Sequence, residues 1–466
     1  MHPLLSLGID DMKINLTNAS KLQILKGFGT SACWWSHYLK DEKAQDEICE
    51  LLYGDTGLKL NIYRYNIGGG TDENNYRVQN PWRRTESMYV YDREKEEGYW
   101  DYSLDKTAKD VMRKCIDKGN VDTLIVFANS PHWAHTSTGQ ASGSLMMHTC
   151  NLPKANYRKF ADYFLTATQR LIDEGFPVKY VSPINEPQWK WGGSYVWQEG
   201  CHYEPEEMVE VMHIFAEEII KRNMDVKLYG PESGEMMGLT PEYLGLLTKD
   251  ELIMSVMPIF AYHSYHDDNN PNIRVDFKNK LVLAHPELRF DMSEWCELPN
   301  KSHTKNFKGA LITARIIGQD LIFAGAESWT SWVAINQYSI KEDGFDYSDA
   351  TLTATTDYSE WYVAERYYGF AHFSKYIPIG STALDNGFFP DEKNDFNVFS
   401  FLTPDNKTVT VIVNEGEEKE ITFEGIFSKM EIIESTQDYK LKTIYNGEYK
   451  DKLTVIGNSI LTIICE

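Results

Sequence analysis

The feature that most constrains the fold is a regular alternation of short apolar runs with longer segments of helical periodicity. This alternation is typical of βα units, in which helices connect the strands of a parallel sheet. Eight apolar runs have the length of buried strands, at 27–31, 60–66, 123–128, 179–184, 226–230, 256–262, 288–292 and 325–333. Helical segments separate them, at 41–53, 104–118, 155–174, 205–223 and 307–324 among others. Eight such units predict an α/β fold, a (β/α)8 TIM barrel.

The pattern changes near residue 377. From there to the C-terminus, short segments alternate apolar and polar residues and are separated by turns such as Asn386-Gly387 and Asn446-Gly447, with no helix between them. This pattern predicts an antiparallel β-sandwich. Segment 12–16 also alternates, and we expect it to join that sandwich because an unpaired strand edge would otherwise be exposed. We therefore predict a barrel domain at 21–377 and a side β-sandwich at 1–20 plus 378–466.

The charge balance excludes several classes of partner. The chain has 46 Lys and Arg against 69 Asp and Glu, which gives a net charge of −23. Nucleic acids and anionic membrane surfaces are bound by clusters of basic residues, so neither is an expected partner. No apolar run approaches the ~20 residues that cross a bilayer. The composition gives no indication of the oligomeric state.

Cysteine usage and the N-terminus favour a reducing compartment. The seven cysteines are scattered and form no CxxC pair, which fits free thiols rather than a disulfide framework or a structural zinc site. The N-terminal apolar stretch is short, ends at Asp10 and Asp11, and lacks the basic segment of a signal peptide. A cytoplasmic location is the expectation, unless a signal peptide has been removed.

The sequence predicts no metal ion and no cofactor. His132 and His135 lie on a predicted irregular loop and lack the HExxH context of a zinc site. The run Gly68-Gly69-Gly70 follows a predicted strand but has neither a Walker lysine nor the spacing of a dinucleotide fingerprint.

Two glutamates follow predicted strands four and seven where the apolar runs end. The fourth run is followed by Asn185-Glu186-Pro187, and the seventh by Ser293-Glu294-Trp295. Their separation, 294 − 186 = 108 residues, equals three βα units of 36. Catalytic groups of TIM barrels lie at the C-terminal ends of the strands. The spacing therefore predicts that the two carboxyl groups face each other across the barrel mouth.

A pair of carboxyl groups that flanks one bond is what glycoside hydrolysis requires. One group protonates the leaving oxygen, and the other attacks the anomeric carbon or activates water. Taken singly, each glutamate is also compatible with a strand-end salt bridge or a helix N-cap. Both together, at barrel spacing and near tryptophans, favour a glycoside hydrolase.

The chain resembles glycoside hydrolase family 30, a family of retaining glycosidases. Besides the two glutamates, five stretches occur in the family's order across the barrel: Gly27-Phe28-Gly29 with Trp34-Trp35, Arg64 to Gly69, Asn129 to Trp133, Ala261 to Tyr265, and Ser328 to Trp332. The third stretch departs from the family pattern, since His132 precedes Trp133 and Ala134-His135 follow it. That departure puts the shape of the neighbouring subsite in doubt.

The resemblance implies a role for each matching residue. Glu186 would be the general acid/base and Glu294 the nucleophile. The other matching positions would bind substrate or support the site: Arg64 beneath the nucleophile, Trp133 on the sugar, Asn185 on its 2-hydroxyl, His263 and Tyr265 after strand six, and Trp332 under the sugar ring. From the residues alone, Arg64 also fits a barrel ion pair, the two tryptophans fit core packing, and His263 fits a buried core histidine equally well.

The resemblance is greatest to the β-1,6-galactanases of the family, which implies a β-linked galactan or galactooligosaccharide substrate. Loop 339–349 after strand eight carries Glu342, Asp343, Asp346 and Asp349 against Lys341, and we expect it to repel uronic-acid substrates. Trp189, Trp191 and Trp197 are candidates for further sugar subsites, since indole faces pack on sugar C–H surfaces. The alternatives left open are a β-glucosidase, a β-xylosidase or another xylan-active enzyme of the family, and an inactive sugar-binding barrel.

Overall fold

The structure is a computed structural model that describes residues 12–71, 77–78, 80–146, 148–193, 196–266, 269–298, 306–337, 349–355 and 358–466. The chain divides into two compact units. One comprises Lys26–Ser302 and Phe323–Ala364, and the other comprises Met1–Leu25, His303–Ile322 and Glu365–Glu466.

The first unit contains a closed barrel of eight parallel strands, as the alternation predicted. In chain order the strands are β1 (Gly27–Ser31), β2 (Ile62–Asn66), β3 (Thr123–Phe127), β4 (Val178–Ser182), β5 (Lys227–Ser233), β6 (Ile259–His263), β7 (Arg289–Trp295) and β8 (Ser328–Ser331). Apolar side chains from alternate positions fill the barrel, among them Ile62, Ile125 and Ile259. The barrel is therefore a packed core, and only its carboxyl end is open to substrate.

The helices follow the strands in chain order. Their bounds are Trp35–Tyr38, Glu42–Tyr53, Lys106–Asp117, Tyr157–Asp173, Pro205–Lys221, Thr240–Leu247, Glu251–Val256, Pro271–Phe277, Lys308–Gln319 and Glu365–Ser374. Helix Pro205–Lys221 begins with proline and a capping box in which Glu204 and Glu207 bond each other's backbone. Both devices satisfy N–H groups that have no partner within a first helical turn.

Three strand pairs of the barrel lose their register at the carboxyl end. The shifts lie between Ala261 and Tyr262 in the β5–β6 pair, between Tyr262 and His263 in the β6–β7 pair, and between Met292 and Trp295 in the β7–β8 pair. An irregularity of this kind turns the side chains that follow it away from the regular in-and-out alternation. The polar residues at these strand ends consequently face the barrel mouth.

The second unit contains the antiparallel sandwich. A seven-stranded sheet holds Ser20–Ile24, Thr382–Asp385, Phe396–Leu402, Thr408–Asn414, Ser459–Cys465, Lys429–Ser435 and Lys442–Glu448 in that spatial order, and a three-stranded sheet holds Met12–Asn15, Lys419–Glu424 and Lys452–Val455. Buried apolar side chains of both sheets form one core. Two smaller sheets belong instead to the first unit: one pairs Tyr89–Asp92 with Glu97–Trp100, and the other joins Ile335–Gln337, Leu352–Ala354 and Trp361–Val363.

Both N-terminal strands belong to this sandwich. Met12–Asn15 pairs with Lys419–Glu424, in parallel, as expected for segment 12–16 except for its direction. Ser20–Ile24 pairs with Thr382–Asp385, and helices Lys308–Gln319 and Glu365–Ser374 belong to the same unit. The domain boundaries drawn from the sequence, 21–377 and 1–20 plus 378–466, stay a prediction. Within the described residues, no helix is both long and apolar enough to span a membrane.

Candidate active site

Arg64 occupies the floor of the barrel mouth. It lies on β2, is fully buried, and packs its guanidinium 3.5 Å from the centre of the Phe127 ring. Its Nη1 donates to Glu294 Oε2 at 2.8 Å, and its Nη2 donates to Asn185 Oδ1 at 2.9 Å. A planar guanidinium holds several acceptors in one fixed arrangement. Arg64 therefore fixes the positions of groups that follow β4 and lie on β7.

Glu232, at the end of β5, accepts hydrogen bonds from four side chains. Arg64 donates from Nε at 3.3 Å and from Nη2 at 3.2 Å. The other donors are Ser182 Oγ at 2.7 Å, Ser293 Oγ at 2.6 Å and His263 Nε2 at 3.2 Å. Burial opposes ionisation of this carboxyl, but Arg64 and His263 outweigh burial and hold its pKa at about 2. Glu232 is thus a buried, ionised carboxylate that joins strands β2, β4, β6 and β7.

His263 bridges the two candidate catalytic glutamates. Its Nδ1 lies 3.0 Å from Glu186 Oε1 and 3.6 Å from Glu294 Oε1. Burial by itself would lower the pKa of this imidazole, but the carboxyls of Glu294, Glu186 and Glu232 raise it to about 9. A histidine with that pKa is doubly protonated at neutral pH, so it donates a hydrogen bond from each ring nitrogen.

Glu186 and Glu294 face each other closely. One carboxylate oxygen of each residue lies within 4.8 Å of the other and of a His263 ring nitrogen. Such a donor set also suits a divalent cation, but the proton on His263 opposes metal binding. A metal ion here would have to displace that proton.

Glu294 has a raised pKa. Burial raises the pKa of this carboxyl to about 7, and the nearby carboxyls of Glu186 and Glu232 add to the effect against the lowering by His263 and Arg64. The Tyr265 hydroxyl also donates a hydrogen bond to Glu294 Oε1 at 3.1 Å. An arginine beside a carboxyl favours the ionised form of that carboxyl. Arg64 donates two hydrogen bonds to Glu232 and one to Glu294, so it stabilises the ionised form mainly at Glu232.

Two of these carboxylates lie on a left-handed backbone. The φ angle is +48° at Glu186 and +55° at Glu232, and the Glu186 amide donates to the Glu232 carbonyl at 2.8 Å. For a residue with a β-carbon this conformation costs about 1–3 kcal/mol, and it persists only where surrounding contacts stabilise it. The backbone hydrogen bond and the buried ion pairs are those contacts here.

A cavity of about 480 Å³ opens over the glutamate pair. Its wall is aromatic on two sides, with Trp189, Trp191 and Trp197 from the loop after β4 and with Tyr265 and Trp332 after β6 and β8. The other lining residues are Arg83, Glu186, Lys190, Gln198, His266, Glu294, Cys296, Leu298, Asn336 and Asp349. A neutral sugar, with apolar C–H faces and polar edges, fits such a lining.

The structure brings most of the sequence-predicted site residues together. Glu186, Glu294, Tyr265 and Trp332 line the cavity, while Arg64, Asn185 and His263 support them from below. Trp133 does not line the cavity: it lies in a short 3-10 turn, against the Tyr91 ring and the Arg93 guanidinium. The acidic loop 339–349 lies outside the described residues except for Asp349, which accepts from Asn336 at 2.7 Å.

Sequence reasoning missed Glu232, Ser182 and Ser293. Predicted strand five, 226–230, ends at Gly230, whereas β5 continues to Ser233. The available signal was the one that identified the other glutamates, an acidic residue at the end of an apolar run.

Comparison with known proteins identifies a matching family. The family model described as O-Glycosyl hydrolase family 30 matches residues 11–347. An endo-β-1,6-galactanase of Hypocrea rufa is 23% identical over 236 residues, which cover 46% of this chain and 48% of the galactanase. The chain thus matches about half the length of that relative.

Two further matches cover more of the chain. A Caenorhabditis elegans protein described as "Putative glucosylceramidase 3" is 21% identical over 389 residues, covering 80% of this chain and 70% of that protein. The crystal structure of a conserved exported protein from Bacteroides fragilis superposes with a TM-score of 0.82 at 21% identity, covering 98% of this chain and 100% of that one. At that identity the likeness shows the fold.

Proposed function

The chain belongs to glycoside hydrolase family 30, and we propose that it is a retaining β-glycosidase that cleaves β-1,6-galactan or β-1,6-galactooligosaccharides. Membership of the family makes it an O-glycosyl hydrolase. The linkage, the sugar and the retaining course of the reaction are the parts that we propose.

In the first step, a carboxylate oxygen of Glu294 attacks the anomeric carbon, while the carboxyl of Glu186 gives its proton to the glycosidic oxygen. The bond between that carbon and that oxygen breaks, and the leaving sugar departs. Arg64 and Tyr265 each donate a hydrogen bond to Glu294, which keeps its carboxylate oriented for attack. A group held in its reactive geometry saves much of the entropic cost of the step.

In the second step, Glu186 acts as a base. Its carboxylate takes a proton from water, the water oxygen bonds to the anomeric carbon, and the ester to Glu294 breaks. The net configuration at the anomeric carbon is retained, because each of the two steps inverts it. His263 Nδ1, 3.0 Å from Glu186 Oε1, keeps this carboxyl in position for the step.

The observation that carries the proposal is the closeness of the two carboxyls. Retaining enzymes hold them about 5–5.5 Å apart, and inverting enzymes leave ~6.5–9.5 Å for a water molecule between them. Oxygens of Glu186 and Glu294 within 4.8 Å of each other leave no such room. This spacing supports direct attack by Glu294.

For the substrate, the galactanase relative supports a β-1,6-linked galactan. A β-glucosidase is the second candidate, because the relative described as a glucosylceramidase matches 80% of this chain against 46% for the galactanase. Turnover of a panel of β-1,6-galactooligosaccharides, β-glucosides and β-xylosides distinguishes them. We expect the galacto-configured oligosaccharides to have the highest kcat/KM.

The catalytic roles are tested with Glu294→Gln. This variant keeps the size of the side chain but removes the nucleophile, so we expect turnover to be abolished while the melting temperature stays close to that of the wild type. NMR of the wild-type reaction should show the β-anomer as the first product. Substantial turnover by the variant, or an α-anomer released first, would contradict the mechanism.

A further inference from the structure

The wall of the cavity next to Glu186 comes from one loop. After β4, residues 187–193 and 196–202 are described, and this loop supplies Trp189, Trp191 and Trp197 to the lining. Tyr265 and Trp332 lie near the nucleophile Glu294: the Tyr265 hydroxyl donates to Glu294 Oε1, and the Trp332 amide donates to the carbonyl of Trp295. If Glu186 protonates the glycosidic oxygen, as in the proposed function on which this inference rests, the leaving group extends from Glu186 along this loop.

The loop is built onto the acid residue itself. The Trp189 amide and the Trp191 indole Nε1 both donate to the Glu186 carbonyl oxygen, each at 3.1 Å. Trp189 also packs its ring edge-on against His266, with centroids 5.2 Å apart. The distance and direction from the Glu186 carboxyl to these indoles are consequently constrained by short covalent and hydrogen-bonded links.

Close backbone contacts fix the ring of Trp191. A β-carbon on Gly200 would lie 2.3 Å from the Trp191 ring, so only glycine lets the ring lie flat on that backbone. Bridges between Ser142 and Gly200, and between Ser144 and Gly192, join this loop to the loop after β3. The aromatic wall is therefore a preformed surface, which lowers the entropic cost of binding.

Trp197 completes the wall at the solvent side. It lines the cavity and yet 40% of its surface is exposed. Lys190 and Gln198 lie beside the indoles in the same lining and offer hydrogen-bond donors. Indole faces with donors at their edges suit a pyranose ring, which has C–H faces and a hydroxyl rim.

We propose that Trp191 and Trp197 form a leaving-group subsite that binds a neutral pyranose. Among glycosides, the enzyme then cleaves the bond to a leaving sugar faster than the bond to a small or purely apolar alcohol. During the second step the same subsite holds an acceptor sugar: its hydroxyl oxygen bonds to the anomeric carbon, its proton passes to Glu186, and the ester to Glu294 breaks.

The test compares Trp197→Ala on two substrates that share the glycone. β-1,6-Galactotriose has a leaving sugar, and β-galactosyl fluoride has a leaving group too small to reach the loop. We expect kcat/KM for the triose to fall about tenfold, as the loss of one aromatic contact implies, with the value for the fluoride unchanged within about twofold. Trp197→Phe should recover most of the loss.

Phe389→Ala is the matched control, since Phe389 is an aromatic residue of similar exposure, 44%, in the sandwich unit. We expect it to change neither substrate's kcat/KM. Equal losses on both substrates, or no loss on the triose, would overturn the subsite, and so would a larger loss on octyl β-galactoside than on the triose. Failure of the wild type to hydrolyse any of a set of β-glycosyl fluorides would refute the proposed function, and the subsite with it.

Discussion

Glu232 connects most of the groups on which the site depends, although it does not line the cavity. It is ionised and fully buried, and it bonds Arg64, which in turn holds Glu294, and His263, which contacts Glu186. Breaking a buried charge network by removing one charge leaves its partners without compensation. Glu232 is therefore a positioning residue, whose removal affects both candidate catalytic carboxyls at once.

Glu232→Gln tests this role. The amide cannot balance the charges of Arg64 and His263, so both should shift relative to Glu294 and Glu186. We expect kcat to fall on the order of 100-fold, since misplacement of reacting groups by about 1 Å has that effect. KM should change little, because no substrate contact is lost. Steady-state kinetics on the triose gives both parameters.

Glu199 offers a matched control, since it is also fully buried but lies outside the cavity lining. Burial raises the pKa of Glu199 to about 7, so glutamine resembles the protonated form that this residue readily adopts. Glu199→Gln should keep kcat close to the wild-type value. Similar losses in both variants would mean that Glu232 acts through general stability.

At the residue scale, the ends of apolar runs were the positions that the sequence could indicate. Glu186 and Glu294 were located by strand spacing, and the structure brings them face to face. Trp133 was assigned to the cavity by resemblance alone, and its contacts with Tyr91 and Arg93 come from a hairpin whose position no local pattern reveals. Side-chain networks between distant strands have no local sequence signal.

Among the elements, two helix glycines illustrate opposite uses of the residue. Gly318, in helix Lys308–Gln319, lies where a β-carbon would be 2.1 Å from the Phe399 ring of the sandwich. Gly245, in helix Thr240–Leu247, would have no atom within 4 Å of an added β-carbon. Glycine is thus needed for packing at position 318 and only adds flexibility at position 245.

Alanine at each position should change stability in opposite directions. Gly318→Ala overpacks a helix–sheet contact and should destabilise the protein by about 1–3 kcal/mol. Gly245→Ala should stabilise it by about 0.5–1 kcal/mol, since alanine loses less backbone entropy in a helix. Differential scanning calorimetry of both variants measures the two effects. A melting temperature raised by Gly318→Ala would refute the packing argument.

The order and type of the barrel elements were predictable because hydrophobic periodicity reports them directly. The eight strands fall at the expected positions, and helix Glu42–Tyr53 begins within one residue of its predicted start. The register shifts at the site were not predictable, because they depend on which neighbouring strand each residue meets. The parallel pairing of Met12–Asn15 was missed for the same reason.

For the whole molecule, buried titratable groups predict how stability depends on pH. Burial lowers the pKa of His132 and of His372 to about 3 and that of His135 to about 4. These groups become protonated in the unfolded chain below its histidine pKa of ~6.5 but resist protonation in the folded one. Their contribution to stability is present above pH ~6.5 and is lost as the pH falls below that value.

Three other buried groups make the protein less stable as the pH rises. Burial raises the pKa of Glu199 and Glu294 to about 7, and three carboxyls hold the pKa of His263 at about 9. Each binds a proton more tightly when folded, so the contribution of the two glutamates is lost as the pH rises from ~4.3 to about 7, and that of His263 as it rises from ~6.5 to about 9. We expect the melting temperature to be highest near pH ~6.5, and a scan in matched ionic strength checks it. A melting temperature that rises steadily to pH 9 would contradict this assignment.

The pairing of Met12–Asn15 and Ser20–Ile24 in the sandwich has a consequence for folding during synthesis. Thr17 bonds the carbonyl of Glu424, 407 positions later in the chain. At about 5–20 residues per second, a ribosome needs roughly 20 to 80 s to add that length. Until their partner strands are made, Met12–Asn15 and Ser20–Ile24 stay unpaired in the nascent chain, while the strands of the barrel emerge one after another. Chaperones that shield exposed strand edges should therefore matter most for residues 12–24.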